Sequence, residues 1–329
     1  MKIVNTLGLS KPLEQAILKF QEDYELDSDA SDTTVTTLVG PPRIAELGRR
    51  KSDEITVEAM DLLWALQGTA MHLVLEQAEP SEVTEERLFS HDLGWVWSGK
   101  FDRLHVSDGL LQDYKWASVY EVIAGVRPER EQQLNLLAEL ATRHGYDVRG
   151  LQVIMLLRDW SASKAQTEPW WSNYPRQQEH VENVTLWSKE ERMAFLYERL
   201  KEHQAARNAK TLKHLPLCSP EDRWEGGDVY AVRATNRQKA LSGGLKDSED
   251  EAQAMIDEIE ADPKQAKKYK GLYIEHRPGL PVRCMRYCRV SQVCSQWAND
   301  PRHPDNVVQE AQEPFEHQID TEPRPLFES

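Results

Sequence analysis

The sequence predicts an α/β or α+β fold, and three patterns carry that prediction. Residues 58–79, EAMDLLWALQGTAMHLVLEQAE, repeat Leu62, Leu66 and Leu73 at helical spacing. The stretch GKFDRLHVSDGLLQDYKWAS, residues 99–118, sets apolar runs on either side of a Gly-containing turn, which reads as a β-hairpin. Beyond it the chain reads helix, strand, strand, helix.

In chain order, residues 21–34 (QEDYELDSDASDTT) are acidic and poor in apolar side chains, so residues 1–32 are expected to form a flexible arm. TVTTLVGPPRIAEL opens the ordered core, and Pro41-Pro42 interrupt it before a short helix. On the helix within 58–79, His72 and Glu76 stand four apart and share a face. After the hairpin, REQQLNLLAELATRHG places Leu134, Leu137, Ala138 and Ala141 on one side of a helix. RGLQVIMLLRDW reads as a buried strand and HVENVTLW as another. Ser188 and Glu191 form a capping box that opens the helix KEERMAFLYERLKEHQAARN. The core thus spans 33–214. Residues 215–299 read as a small α+β module: strand YAVRAT, helix SEDEAQAMIDEIEA, strand LYIEHRP, then a cysteine-rich end. Residues 300–329 are Pro-rich and acidic and are expected to be a disordered tail.

Composition narrows the function classes. A net charge of −15 argues against general coating of nucleic acid, but not against a local basic groove on an acidic body. No apolar run reaches about 18 residues, so no membrane span is expected. MKIVNTLGLSKP has no signal-peptide core, which predicts a cytoplasmic protein. Cys284, Cys288 and Cys294 form C-x3-C-x5-C, with Cys218 upstream. Without a secretion signal, these cysteines point to metal ligation rather than disulfides.

The hairpin carries the candidate chemistry. A loop at Asp108-Gly109 sets Asp102 opposite Lys115; a loop at Ser107-Asp108 sets it opposite Asp113. In both registers Asp102, Asp113 and Lys115 share one face, because side chains alternate along a strand. One reading is an exposed cross-strand ion pair worth about 0.2–1 kcal/mol. The other is a divalent-cation site, with paired carboxylates around Mg²⁺ and the lysine beside it.

Four segments, GTAMHLVLE (68–76), SGKFDRL (98–104), LQDYKWAS (111–118) and EQQLNLLAELA (131–141), resemble in order the motifs of RecB-type PD-(D/E)XK nucleases. The resemblance covers residues 33–200, and the cysteines extend it to 297. It implies a restriction-endonuclease-like core, a central mixed sheet flanked by helices, with a small C-terminal Cys-containing module. It also implies that Asp102 and Asp113 ligate Mg²⁺ or Mn²⁺, joined by the backbone carbonyl of Tyr114, with His72 approaching from its helix. Lys115 would orient or activate the attacking water and stabilise charge on the phosphate, and Gln133 would support the site and the substrate backbone. The family usually places a Tyr four residues after that Gln, where Leu137 stands here.

The implied activity is metal-dependent hydrolysis of DNA phosphodiester bonds, by an exonuclease on single- or double-stranded ends in replication, recombination or repair. Replication or recombination proteins are the implied partners, and a phage-type setting is the implied source. The alternatives are a structure-selective endonuclease and a non-catalytic DNA-binding or assembly subunit.

Some such nucleases, AddB and the CRISPR adaptation nucleases among them, carry a four-Cys iron–sulfur cluster, with one Cys before the motifs and three at the C-terminal end. Cys284, Cys288 and Cys294 resemble that trio. The earlier cysteine is missing from TVTTLVGPPRI, which leaves Cys218 as fourth ligand and confines the staple to the C-terminal module. Four thiolates suit [4Fe–4S] or Zn²⁺, and the lack of C-x2-C pairs favours the cluster. Arg127, Arg130, Arg143, Arg149, Arg158 and Lys164, with Trp160, Trp170 and Trp171, are candidates for a single-strand groove.

Overall fold

The computed structural model describes residues 1–28, 30–78, 82–125, 127–169 and 172–306. Trp170, Trp171 and the tail at 307–329 lie outside these. The arm expected at residues 1–32 is instead a strand, β1 (Lys2–Val4), and an 18-residue helix, α1 (Lys11–Ser28). The acidic count described only the second half of that helix. Its first half carries Leu13, Ile17 and Phe20 at helical spacing, and Ile17 is fully buried.

Next come β2 (Thr33–Thr34), α2 (Val35–Val39) and α3 (Pro42–Arg50). Thr34 caps α2 by accepting the Thr37 amide at 3.2 Å, and Pro42 opens α3 where no helical amide bond is needed. β3 (Thr56–Glu58) pairs in parallel with β1. Helix α4 (Leu63–Glu76) and β4 (Val83–Thr84) lead to a hairpin that the sequence reading did not separate, β5 (Arg87–Asp92) and β6 (Trp95–Lys100). Its turn, Leu93-Gly94, has left-handed backbone at both residues (φ 51° and 81°), which matches strand twist.

The predicted hairpin follows as β7 (Arg103–His105) and β8 (Leu110–Ala117). Arg103 faces Gln112, Leu104 faces Leu111 and His105 faces Leu110. Of the two registers, this is the one that sets Asp102 toward Asp113, with residues 106–109 as a longer loop. Gly109 is obligatory there. Its φ is +66°, and a Cβ would come within 2.4 Å of the Asp147 carbonyl.

α5 (Val119–Ala124) and α6 (Pro128–Arg143) cross over to β9 (Gly150–Leu157), parallel to β8. Then come α7 (Ala162–Thr167), β10 (Glu179–Val184) antiparallel to β9, and α8 (Lys189–Asn208), opened by the expected Ser188–Glu191 box. The C-terminal part holds β11 (Val229–Ala234), β12 (Leu245–Lys246), α9 (Glu249–Ala261), α10 (Pro263–Lys268), β13 (Leu272–Arg277) and α11 (Ser295–Ala298).

The result is a mixed α/β fold. Its central sheet has five strands in the order β10-β9-β8-β7-β4, both parallel and antiparallel, flanked by helices. A smaller sheet, β2-β6-β5, packs on the other side of α6. α6 is therefore covered from both sides, and every residue from Leu134 to Ala141 is buried. Each fully buried leucine there contributes about 1.5–3 kcal/mol. Among the described residues, no helix is long and apolar enough to cross a membrane.

The cysteine-rich end is not part of the C-terminal module's own core. That core is Val232, Ala234, Leu241, Ala252, Ile256 and Ile259. The cysteine layer instead packs on Leu47 of α3, Ile55, Ala206 of α8 and Leu215. The cysteine-bearing segment, expected to belong to a module of residues 215–299, therefore packs on the core, where it covers Leu47 and Ile55.

Candidate functional site

The site is built where β8 passes beneath α4. Leu111, Asp113, Lys115 and Ala117 share one strand face by the two-residue period, and Leu111 and Ala117 commit that face to the core. Asp113 is consequently buried, at 3% exposure, and cannot stand there alone. Lys115 Nζ meets its Oδ1 at 2.5 Å and donates to the Tyr114 carbonyl at 3.3 Å. Asp102, in the turn between β6 and β7, accepts the Tyr114 amide on Oδ2 at 2.7 Å. The exposed ion pair considered from sequence is thus replaced by a buried group.

His72 comes down from α4. Its Nδ1 lies 3.0 Å from Glu85 Oε1 and 3.7 Å from Asp102 Oδ2. Ligand atoms of His72, Glu85 and Asp102 all fall within 4.8 Å of one another. Glu85 was not foreseen. Glu76, the acidic neighbour suggested by helical spacing, is exposed, and Glu85 from the β4–β5 turn takes that place. Its backbone is left-handed at φ 50°, and its second oxygen holds Lys100 Nζ at 2.7 Å. No sequence signal marks it among Glu82, Glu85 and Glu86.

Electrostatics sharpen the group. Burial, reinforced by the Asp113 charge, pushes the Asp102 carboxyl up to about 7, against the opposing pull of Lys115, His72 and the Tyr114 amide. Burial disfavours the Lys115 ammonium, yet Asp113 and Asp102 outweigh it and hold its pKa above the ordinary value. Burial also opposes charge on His72, but the Glu85 hydrogen bond and the Asp102 charge raise its pKa overall. Glu85 is held low, because its bonds to His72 and Lys100 outweigh burial. Positive charge entering beside Asp102 and Asp113 would relieve their mutual repulsion.

The group opens into a cleft of about 810 Å³ walled by Phe20 and Lys19 of α1, Leu66 and Leu73 of α4, and Arg87 and Lys100. Gln133 lies on α6, one turn beyond Arg130, and makes no hydrogen bond to Asp113 or Lys115. Arg130 itself is close enough to Lys115 for its charge to be felt there.

The basic residues divide. Arg143 is bound to Asp92 at 2.6 Å and Glu139 at 2.9 Å, and Arg149 to the Ser107 carbonyl at 2.5 Å, so both serve the fold rather than a groove. Lys164 lies over Tyr174. Arg158 rests over Trp64 of α4, 4.8 Å from the ring centroid, and Arg127 and Arg130 both pair with Glu121 of α5.

At the other end, Cys218, Cys284, Cys288 and Cys294 line one enclosed pocket with Ile44 and Trp297. Burial, with Asp222 and the neighbouring cysteines, pushes the Cys218 thiol up to about 12, and burial raises Cys288 as well. Where the resemblance expects a cysteine in the early segment, α3 supplies Arg43, which is 2% exposed. Its Nε donates to Cys294 Sγ at 3.4 Å, Nη1 to the Leu215 carbonyl at 3.2 Å and Nη2 to Ser295 Oγ at 2.9 Å. Gln296 binds both the amide and the carbonyl of Cys218 at 2.9 Å.

No protein-family model and no curated protein matches this chain. Among solved structures, the one known as SSO0001 is similar, with 14% identity and a TM-score of 0.42, covering 58% of this chain and 86% of that one.

Proposed function

We infer that the chain is a divalent-metal-dependent nuclease that hydrolyses DNA phosphodiester bonds. The observation that carries this reading is the convergence of Asp102, Asp113 and Lys115 with His72, of which Asp102 and His72 line a cleft. The donor set is carboxylate, carbonyl and one imidazole, which suits Mg²⁺ or Mn²⁺. In this reading Asp102, Asp113, the Tyr114 carbonyl and His72 hold the cation. When bound, it supplies Lewis acidity and a water acidic enough to attack at neutral pH.

The chain's own groups do the rest. Lys115, already charged and fixed by Asp113, orients the attacking water and faces the charge that builds on the phosphate. Glu85 steadies the His72 ring. Gln133 and Arg130, on one face of α6, guide the substrate backbone. The PD-(D/E)XK arrangement is supported by the sequence of α4, the β7–β8 hairpin and α6 around the central sheet. Attack on chain ends fits a cleft that α1 walls on one side.

The four cysteines suit a [4Fe–4S] cluster better than Zn²⁺. A tetrahedral zinc with bonds of about 2.3 Å gathers its sulfurs to about 3.8 Å from one another. The C-x3-C-x5-C spacing of Cys284, Cys288 and Cys294 holds no C-x2-C pair of the kind zinc sites favour. Arg43, and Arg223 beside Cys284, would offset the charge of thiolates.

Labelled linear and circular DNA, incubated with Mg²⁺ or Mn²⁺, test the reading. Degradation of linear DNA alone means an exonuclease, and nicking of circles means an endonuclease. DNA binding without cleavage of either substrate by the folded, metal-supplied protein would overturn catalysis.

A further inference from the structure

Two arginines far apart in sequence lie over one indole. The Arg127 guanidinium carbon, just before α6, is 5.6 Å from the Trp224 ring centroid, and that of Arg283, beside Cys284, is 5.1 Å from it. Trp224 itself has left-handed backbone, φ 52°. Tyr287 packs against it at 5.5 Å and 52°, yet remains 64% exposed.

This cluster is continuous with the candidate site. Glu121 holds Arg130 and, at 3.3 Å, Arg127, and Arg130 is the cation nearest in effect to Lys115 on that side. Among the described residues, the Arg283 guanidinium has the Asp222 carbonyl, at 3.1 Å, as its hydrogen-bond partner. Arg127 and Arg130 thus share one carboxylate, Glu121, and Arg283 adds a third guanidinium with no carboxylate partner among the described residues, in a chain whose net charge is −15. Such a cationic track needs an anionic partner with repeated charge, and stacking on Trp224 fixes both forks so that little side-chain entropy remains to be lost on binding.

We propose that Arg127 and Arg283, held over Trp224, grip the phosphodiester backbone of a single strand, with an unpaired base stacked on Tyr287. A duplex keeps its base faces covered and cannot use an exposed tyrosine in this way. The strand then runs from Lys115 past Arg130 to the cysteine layer. The proposal rests on the nuclease reading for its direction, but its binding chemistry is independent of cleavage.

The test is fluorescence anisotropy of labelled oligothymidylate and of a blunt hairpin duplex, in EDTA, over a salt series. Arg127→Ala and Arg283→Ala should each lower the slope of log affinity against log salt by about 1. Tyr287→Ala should weaken oligothymidylate binding about tenfold and leave the duplex nearly unchanged. Unchanged affinity and slope in these variants overturn the proposal, as does equal weakening of duplex and single strand by Tyr287→Ala. Should an arginine variant unfold, the exposed Tyr287 decides. Wild-type protein that cuts DNA while the variants bind normally sinks the platform alone; platform-dependent binding without cleavage sinks the nuclease reading alone.

Discussion

Asp113 and Lys115 illustrate how one side chain forces the identity of another. A carboxylate on the core face of β8 requires a buried cation, and the lysine two residues on is the one that reaches it. Asp113→Asn, which keeps the shape, and Lys115→Ala should each reduce DNA cleavage by about 10²-fold or more, measured as initial rates on linear DNA at saturating Mg²⁺. Wild-type rates from the folded Asp113→Asn protein would remove it from the site. Glu85 and His72 act through their mutual bond and should behave more mildly. Glu85→Gln and His72→Ala are expected to weaken Mn²⁺ binding by about tenfold, read by electron paramagnetic resonance of free Mn²⁺. Equal Mn²⁺ affinity in Glu85→Gln and wild type would leave Glu85 as a simple partner of Lys100.

Between elements, the site depends on α6 being clamped between two sheets. Gly99 of β6 makes that possible, since a Cβ there would come 2.6 Å from Leu137, 2.8 Å from Val35 and 2.9 Å from Leu140. All three neighbours are buried and have little room to give, so Gly99→Ala should cost about 1–3 kcal/mol in urea unfolding. α8 supplies a pH-dependent contact. Its His203 is buried, donates to the Gly40 carbonyl at 3.2 Å, and is pushed down to about 4 by burial and by the Arg199 and Arg207 charges. The unfolded chain protonates this histidine first, near pH 6.5. Its contribution is therefore complete above that pH and is lost as pH falls toward about 4, on the order of 3 kcal/mol in all. Urea midpoints of His203→Gln should fall less steeply than wild type across that window, and parallel curves would refute the assignment.

For the whole molecule, the cysteine layer closes the chain's end onto α3 through Arg43. Protein purified without oxygen should be brown and contain iron and sulfide, and Cys218→Ser or Cys294→Ser should bleach it. Loss of that closure should speed hydrogen exchange across residues 283–298 while the β7–β8 hairpin stays protected. Zinc without iron would replace the cluster and keep the staple; neither metal in the purified protein would remove both.

Local patterns were enough to find α4, the β7–β8 hairpin, α6, β9, β10, α8 and its cap, and to put Asp113 and Lys115 on one face of β8. Period and turn chemistry act over a few residues, so they are readable in a string. The same string misjudged residues 1–32, because net acidity masked the stripe of Leu13, Ile17 and Phe20. It left two hairpin registers open, since the choice is made by Gly109 against the Asp147 carbonyl, a contact from another element. Glu85 beside His72 and Arg43 among the cysteines were decided only by tertiary structure. Each is set by which surfaces pack together, and packing joins residues whose separation along the chain carries no periodic signal.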